Sequence, residues 1–157
     1  MAGYATGEVY FASQALGLRH SHLDSGGYAY DQKHEDKDVG KAVDFLMADE
    51  ASRAFLTSMV ACLFARGVYT EELQAECLKA VGYGALADTI DAVSRHIQKL
   101  RWQTRLSTGF DPASVSIPKR FTEVTTWKGK VDGEFLEALK NAYGQSILKL
   151  AQDGKDK

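Results

Sequence analysis

The chain has 157 residues, 45% of them hydrophobic and 25% charged, with a formal net charge of −2. That length allows one domain with its own core, or a sizeable portion of a larger protein, and the composition excludes a disordered chain. The near-balanced charge excludes an overall electrostatic footprint for nucleic acid or an anionic membrane surface.

In chain order, the first expected helix covers about 4 to 16, with Tyr4, Val9, Phe11, Ala12 and Leu16 as its apolar positions. Residues 17 to 40 mix glycine, aspartate, histidine and lysine without periodicity and read as a loop. Val43, Met47, Phe55, Met59, Cys62 and Leu63 then follow helical spacing, so 41 to 66 reads as one bent helix, or two joined near Asp49, stopped by Gly67. Thr70 opens T-E-E-L, an N-cap hydroxyl followed by acidic residues, and predicts a helix to about Val81. A further helix, about 85 to 106, places Leu86, Ile90, Val93, Ile97 and Leu100 on one stripe. A loop from 107 to 130 holds both prolines, and 121-FTEVTTW-127 could be extended. Asp132 caps a last helix to Ala151 that buries Phe135, Leu139, Tyr143 or Ala142, Ile147 and Leu150.

The expectation is an all-α protein, an irregular bundle of about five or six helices with long loops, divided into 1–40 and 41–157. The most apolar run, 54-AFLTSMVACLFA-65, is too short to cross a bilayer, and no segment has the layout of a secretion signal. The two cysteines form no disulfide framework, so the expected compartment is a reducing cytoplasm.

Few chemical motifs are present. There is no phosphate loop, G-x-S-x-G elbow, H-E-x-x-H or C-x-x-C pair. The stretch 17-GLRHSHLDSGGYAYDQ-32 concentrates polar chemistry, but His20 and His22, two apart, need further ligands to hold zinc, such as the nearby carboxylates of 34-HEDKD-38. Cys62 lies within an apolar helical pattern and reads as buried and inert, as does Cys77.

Three stretches together resemble the C-terminal part of the aldehyde:ferredoxin oxidoreductase family, the tungsten-pterin enzymes. The stretch 3-GYATGEVYFASQALGLRHSHLDS-25 is similar to the family's GYATSxRG…HLR, in which a histidine ends a helical segment beside the metal. The segment 57-TSMVACLFAR-66 is similar to DSLGLCxF, whose cysteine is the last ligand of a four-iron cluster. The third, 97-IQKLRWQTRLSTGFDPASVSIPKRF-121, is similar to RxFNxREGF…DDxLPxRF.

The resemblance implies an oxidation of aldehyde to carboxylate at a tungsten or molybdenum atom held by two pterin dithiolenes, with a [4Fe-4S] cluster passing electrons to ferredoxin. By position, Cys62 is the distant cluster ligand. His22, or else His20, is the histidine near the metal. Thr57 stands at the pterin-gripping aspartate, Ser58 beside it, and Val60 at the motif's glycine.

The chain has neither the family's β-rich domain nor its C-x-x-C-x-x-x-C motif, so no cofactor is expected on it alone. Its expected partners are the rest of the oxidoreductase, as missing domains or a companion subunit, with ferredoxin in the complete enzyme and a possible homodimer; no nucleic acid and no membrane is expected. The alternative reading is a stand-alone, non-catalytic helical interaction module. A third is a small zinc protein using His20 and His22.

Overall fold

The computed structural model describes residues 6–18 and 25–153. They are mostly helical: α1 (Glu8–Leu16), α2 (Gly27–Lys33), α3 (Val39–Ser58), α4 (Glu71–Ala80), α5 (Gly84–Ala87), α6 (Ile90–Ser107) and α7 (Gly133–Gln152). A two-stranded antiparallel hairpin, β1 (Thr125–Thr126) and β2 (Gly129–Lys130), precedes α7. The seven helices among the described residues exceed the expected five or six because α2 lies inside the segment read as loop and α5 is a separate single turn.

Where a helix carries its own start signal, sequence and structure agree. The Thr70 hydroxyl accepts from Leu73 N at 3.4 Å, with Glu71 and Glu72 in the first turn of α4. Asp132 Oδ1 accepts from Glu134 N and Phe135 N, each at 3.1 Å, and starts α7. The first two helices differ because their N-cap positions, Gly7 and Gly26, have no side chain with which to cap.

Carboxylates from neighbouring helices take over that role. Asp31 on α2 accepts from Gly7 N (2.9 Å), Val9 N (3.3 Å) and Tyr10 N (2.8 Å), the free amides at the start of α1. Asp49 on α3 accepts from Gly26 N at 2.6 Å, at the start of α2. Glu8 on α1 accepts from Asp132 N at 2.7 Å, just before α7. Gly27 lets α2 cross α1 closely: a Cβ there would lie 2.6 Å from Ser13 Oγ and 2.9 Å from Tyr10 Cα.

The main core joins α1, α3, α6 and α7 through Leu16, Leu46, Trp102, Leu136, Leu139, Tyr143 and Ile147. It draws on residues from Val9 to Ala151, so the two ends of the described chain share it. A smaller cluster of Phe55, Leu78, Ala87 and Ile90 sits between α3, α4, α5 and α6. The stripe expected on α6 faces this smaller cluster only in part, and Leu100 is exposed. The buried residues of α6 are Ile90 of that stripe together with Ser94, Gln98 and Trp102, the last two bonded to a buried carboxylate described below. On α7 the expected Phe135 and Leu150 are half-buried, and Leu136 and Ala151 take the inner positions.

Asp31→Ala removes the acceptor of three amide hydrogens at the start of α1. Urea denaturation should show a loss of about 2 kcal/mol, with Asp31→Asn losing less because one acceptor oxygen remains.

Candidate functional site

Of the sequence-predicted site residues, Thr57, Ser58 and Cys62 lie at the end of α3 and just beyond it. This helix ends at Ser58 rather than continuing to residue 66. Two hydroxyls bond back into its last turn: Thr57 donates to Arg53 O (2.9 Å) and Ala54 O (3.0 Å), and Ser58 donates to Ala54 O (2.8 Å). Ala61 N then reaches Leu56 O at 3.3 Å and Val60 N reaches Thr57 O at 3.1 Å, the paired bonds of a Schellman stop. That stop needs a left-handed residue, and Val60 provides it at φ 61°. It is the one positive-φ residue other than glycine among those described. A β-branched side chain in this region is strained.

Cys62 follows in extended conformation (φ −73°, ψ 128°), ahead of a 3-10 turn at Leu63–Ala65. The expectation of a buried cysteine on a helix face is therefore corrected: Cys62 is exposed and lies off the helix. Cys77, on α4, is exposed as well. Around Cys62 the apolar side chains turn outward, Val60 at 94% and Phe64 at 77% exposure, with Val68 also exposed. Leu63 alone of this group turns into the protein.

His20 and His22 lie outside the described residues. The backbone on either side of their segment is held by consecutive acids of α3. Glu50 Oε1 accepts from Leu18 N at 3.4 Å, and Asp49 Oδ2 accepts from Gly26 N at 2.6 Å while pairing with Arg53 Nε at 2.6 Å. Arg105 of α6 adds a hold on the carbonyls of Leu16 and Gly17, with its guanidinium 3.9 Å from the centre of the Phe110 ring. Ser58 is eight residues beyond Glu50, so the two features of α3 are separated by about 12 Å along its axis.

Glu50, of a residue type that is rarely buried, is 2% exposed. Its Oε2 accepts from Gln98 Nε2 (2.7 Å) and Trp102 Nε1 (2.8 Å), and its Oε1 is 3.4 Å from the Tyr143 hydroxyl. Burial raises its pKa, opposed by the Gln98 and Trp102 hydrogen bonds, the Leu18 amide and the charge of Arg101. Burial also lifts the Tyr143 hydroxyl well above its ordinary value, and the Glu50 charge adds to the effect. The sequence signal for this cluster was the polar row Ser94, Gln98 and Trp102 at helical spacing on α6.

The fit of these residues to the implied cofactors is partial. Among the described residues no group of three or more His, Cys, Asp or Glu is placed to hold a metal ion. A cubane cluster takes about four thiolates, so Cys62 qualifies as one ligand facing outward and not as a site by itself. The Thr57 and Ser58 hydroxyl hydrogens are committed to α3 carbonyls. They can accept a hydrogen bond from a pterin but cannot donate one unless the last turn of α3 gives up a bond.

No helix among the described residues is long and apolar enough to cross a membrane. No family model matches the sequence, and neither a curated protein nor a solved structure does so.

Three substitutions test this geometry. Val60→Gly should raise stability by about 1 kcal/mol in thermal or urea unfolding, because glycine adopts the left-handed stop without strain and the lost side chain is exposed. Glu50→Gln keeps the acceptor for Gln98 and Trp102 and lets Tyr143 reverse its hydrogen bond, and it loses only the long 3.4 Å bond from Leu18 N. A carboxyl with a raised folded-state pKa favours the fold increasingly as pH falls through that value. The Gln variant should therefore be the more stable protein near pH 8, its advantage shrinking as the medium is acidified. Glu50→Ala, which strands buried donors, should cost about 3 kcal/mol.

Proposed function

We propose that this chain is the C-terminal helical portion of a tungsten- or molybdenum-pterin, iron–sulfur oxidoreductase that converts an aldehyde to a carboxylate with ferredoxin as acceptor. On this reading the chain acts in a reducing cytoplasm and is inactive alone, its partners being the rest of the enzyme as further domains or a companion subunit. The observation that carries the proposal is the conformation of Val60. Aligned by its motif alone, 57-TSMVACLFAR-66 sets Val60 against the family's glycine, two residues before the cluster cysteine. Val60 is the described non-glycine residue that takes a left-handed φ, the conformation that glycine suits. This agreement supports the register of the resemblance, and the register is what assigns Cys62.

When bound, the pterin-held metal supplies the oxidation and the cluster carries the electrons away. This chain's own contribution is narrower. Cys62, on an exposed turn, offers one thiolate outward to a cluster whose remaining ligands lie on other polypeptide. His22, or His20, lies in the segment flanked by the Leu18 and Gly26 anchors and handles a proton or the substrate oxygen.

In the complete enzyme, Cys62→Ala should abolish the visible absorbance of the cluster, whereas Val60→Gly should retain it; an unchanged spectrum in the Ala variant overturns the assignment. His22→Ala should lower turnover by about 100-fold with metal content intact. Loss of the metal would make that residue structural.

A second reading, a non-catalytic helical interaction module, is favoured by the outward-facing Val60, Phe64 and Val68. Native mass spectrometry separates the two, since a defined oligomer free of metal and pterin from cells that also make the neighbouring coding sequences supports the module.

A further inference from the structure

A pocket remote in sequence from the Cys62 turn lies where α2 and the segment after it meet the hairpin. It has a volume of about 420 Å3 and is lined by Tyr30, His34, Trp127, Lys128, Lys130 and Phe135 among others. That size suits a single-ring ligand.

The hairpin builds one wall. Thr125 pairs with Lys130 and Thr126 with Gly129, leaving Trp127 and Lys128 as a two-residue tip, with Gly129 at φ 108°. The Thr126 hydroxyl donates to Gly129 O at 3.0 Å and accepts from Lys128 N at 3.2 Å, which stiffens the tip. Trp127 is 50% exposed there, an indole face held open beside the pocket, with the Lys128 ammonium 5.5 Å from its ring centre. The opposite wall is aromatic too: the Tyr30 and His34 rings stack at 4.3 Å. Tyr30 is 5% exposed, and its hydroxyl is buried with no hydrogen-bond partner. An unpaired buried hydroxyl is unfavourable in a folded chain.

The charges around the pocket are unequally occupied. Asp31 is taken by three amides, Glu8 by Asp132 N, and Asp36 by Lys41. Lys37 is taken by Asp132. Lys128 spends one hydrogen on His34 O, and Lys130 has no partner among the described residues. Against these two ammoniums stands one uncommitted acid, the exposed Glu35. The lining as a whole carries four carboxylates and three lysines, and the ammonium hydrogens left to spare are those of Lys128 and Lys130, both on the hairpin beside the exposed Trp127.

We infer that this pocket binds a small planar aromatic carboxylate, its ring against the exposed Trp127 and His34 rings and its carboxylate on Lys128 and Lys130. The test uses the chain as it stands, with benzoate as probe and the two indole N–H signals in 1H–15N spectra as readout; buried Trp102 serves as the internal control for folding. Saturable movement of the Trp127 signal with Trp102 unmoved is expected. Affinity should fall about tenfold in Lys130→Met, whose side chain has no role in the fold, and benzyl alcohol and acetate should give no saturable shift. Lys128→Met should weaken binding similarly. The inference is overturned by the absence of saturation with benzoate, by an affinity unchanged from the parent protein in both Met variants, or by acetate binding as well as benzoate does.

Discussion

The neighbouring carboxylates Asp49 and Glu50 organise this protein from the middle of α3. Successive helical residues point about 100° apart, so two adjacent acids address different neighbours. Asp49 meets the start of α2 and Arg53. Glu50 points into the core, where α6 supplies Gln98 and Trp102 and α7 supplies Tyr143. No Lys or Arg forms an ion pair with Glu50 among the described residues; neutral donors and the distributed charge of Arg101 and Arg105 offset its desolvation. Such an arrangement fixes the angular setting of three helices at once, because every donor is directional and a rotated helix would leave a buried group unpaired.

From α3 the same device passes outward. Asp49 secures α2, Asp31 of α2 secures α1, and Glu8 of α1 secures the amide before α7, each by a carboxylate reaching into another element. Each acid meets amide hydrogens that a helix start or its approach leaves free, where the helix dipole also favours negative charge. The sequence order of these helices is thereby closed into a ring, with α7 returning to α3 through Tyr143. Long-range pairing of this kind is what allows short α1 and α2, weak as isolated helices, to persist.

Legibility follows from where each cap comes from. α4 and α7 were readable because Thr70 and Asp132 cap the helices that they begin. α2 was not readable because Gly26-Gly27 gives no local signal and its acceptor lies 23 residues away on Asp49. The stop after Ser58 was hidden for a related reason: Val60 occupies a position for which sequence rules expect glycine, and the apolar spacing of 54-AFLTSMVACLFA-65 continues through the break. Periodicity thus misassigned Cys62 to a buried helix face, although the family resemblance had aligned Val60 with a glycine. Thr57, Ser58 and Cys62 are near neighbours in sequence and so are named together by any local motif, whereas Glu50 is not legible because its donors lie 48 and 52 residues away.

The two halves of α3 therefore carry opposite balances. Its middle is over-satisfied, with donors converging on Asp49 and Glu50, and that part of the structure is complete within the chain. Its end holds a strained valine, an exposed thiol and an exposed phenylalanine in one turn. Strain and apolar exposure persist where something outside the local fold compensates them. On the oxidoreductase reading, the rigid half sets the position of the histidine segment's two anchors, and the unsatisfied half is the surface that the rest of the enzyme covers. Val60, Cys62 and Phe64 follow directly on the capped end of α3, so their distance from Glu50 is set by the rise of one helix and a single Schellman stop rather than by a long loop.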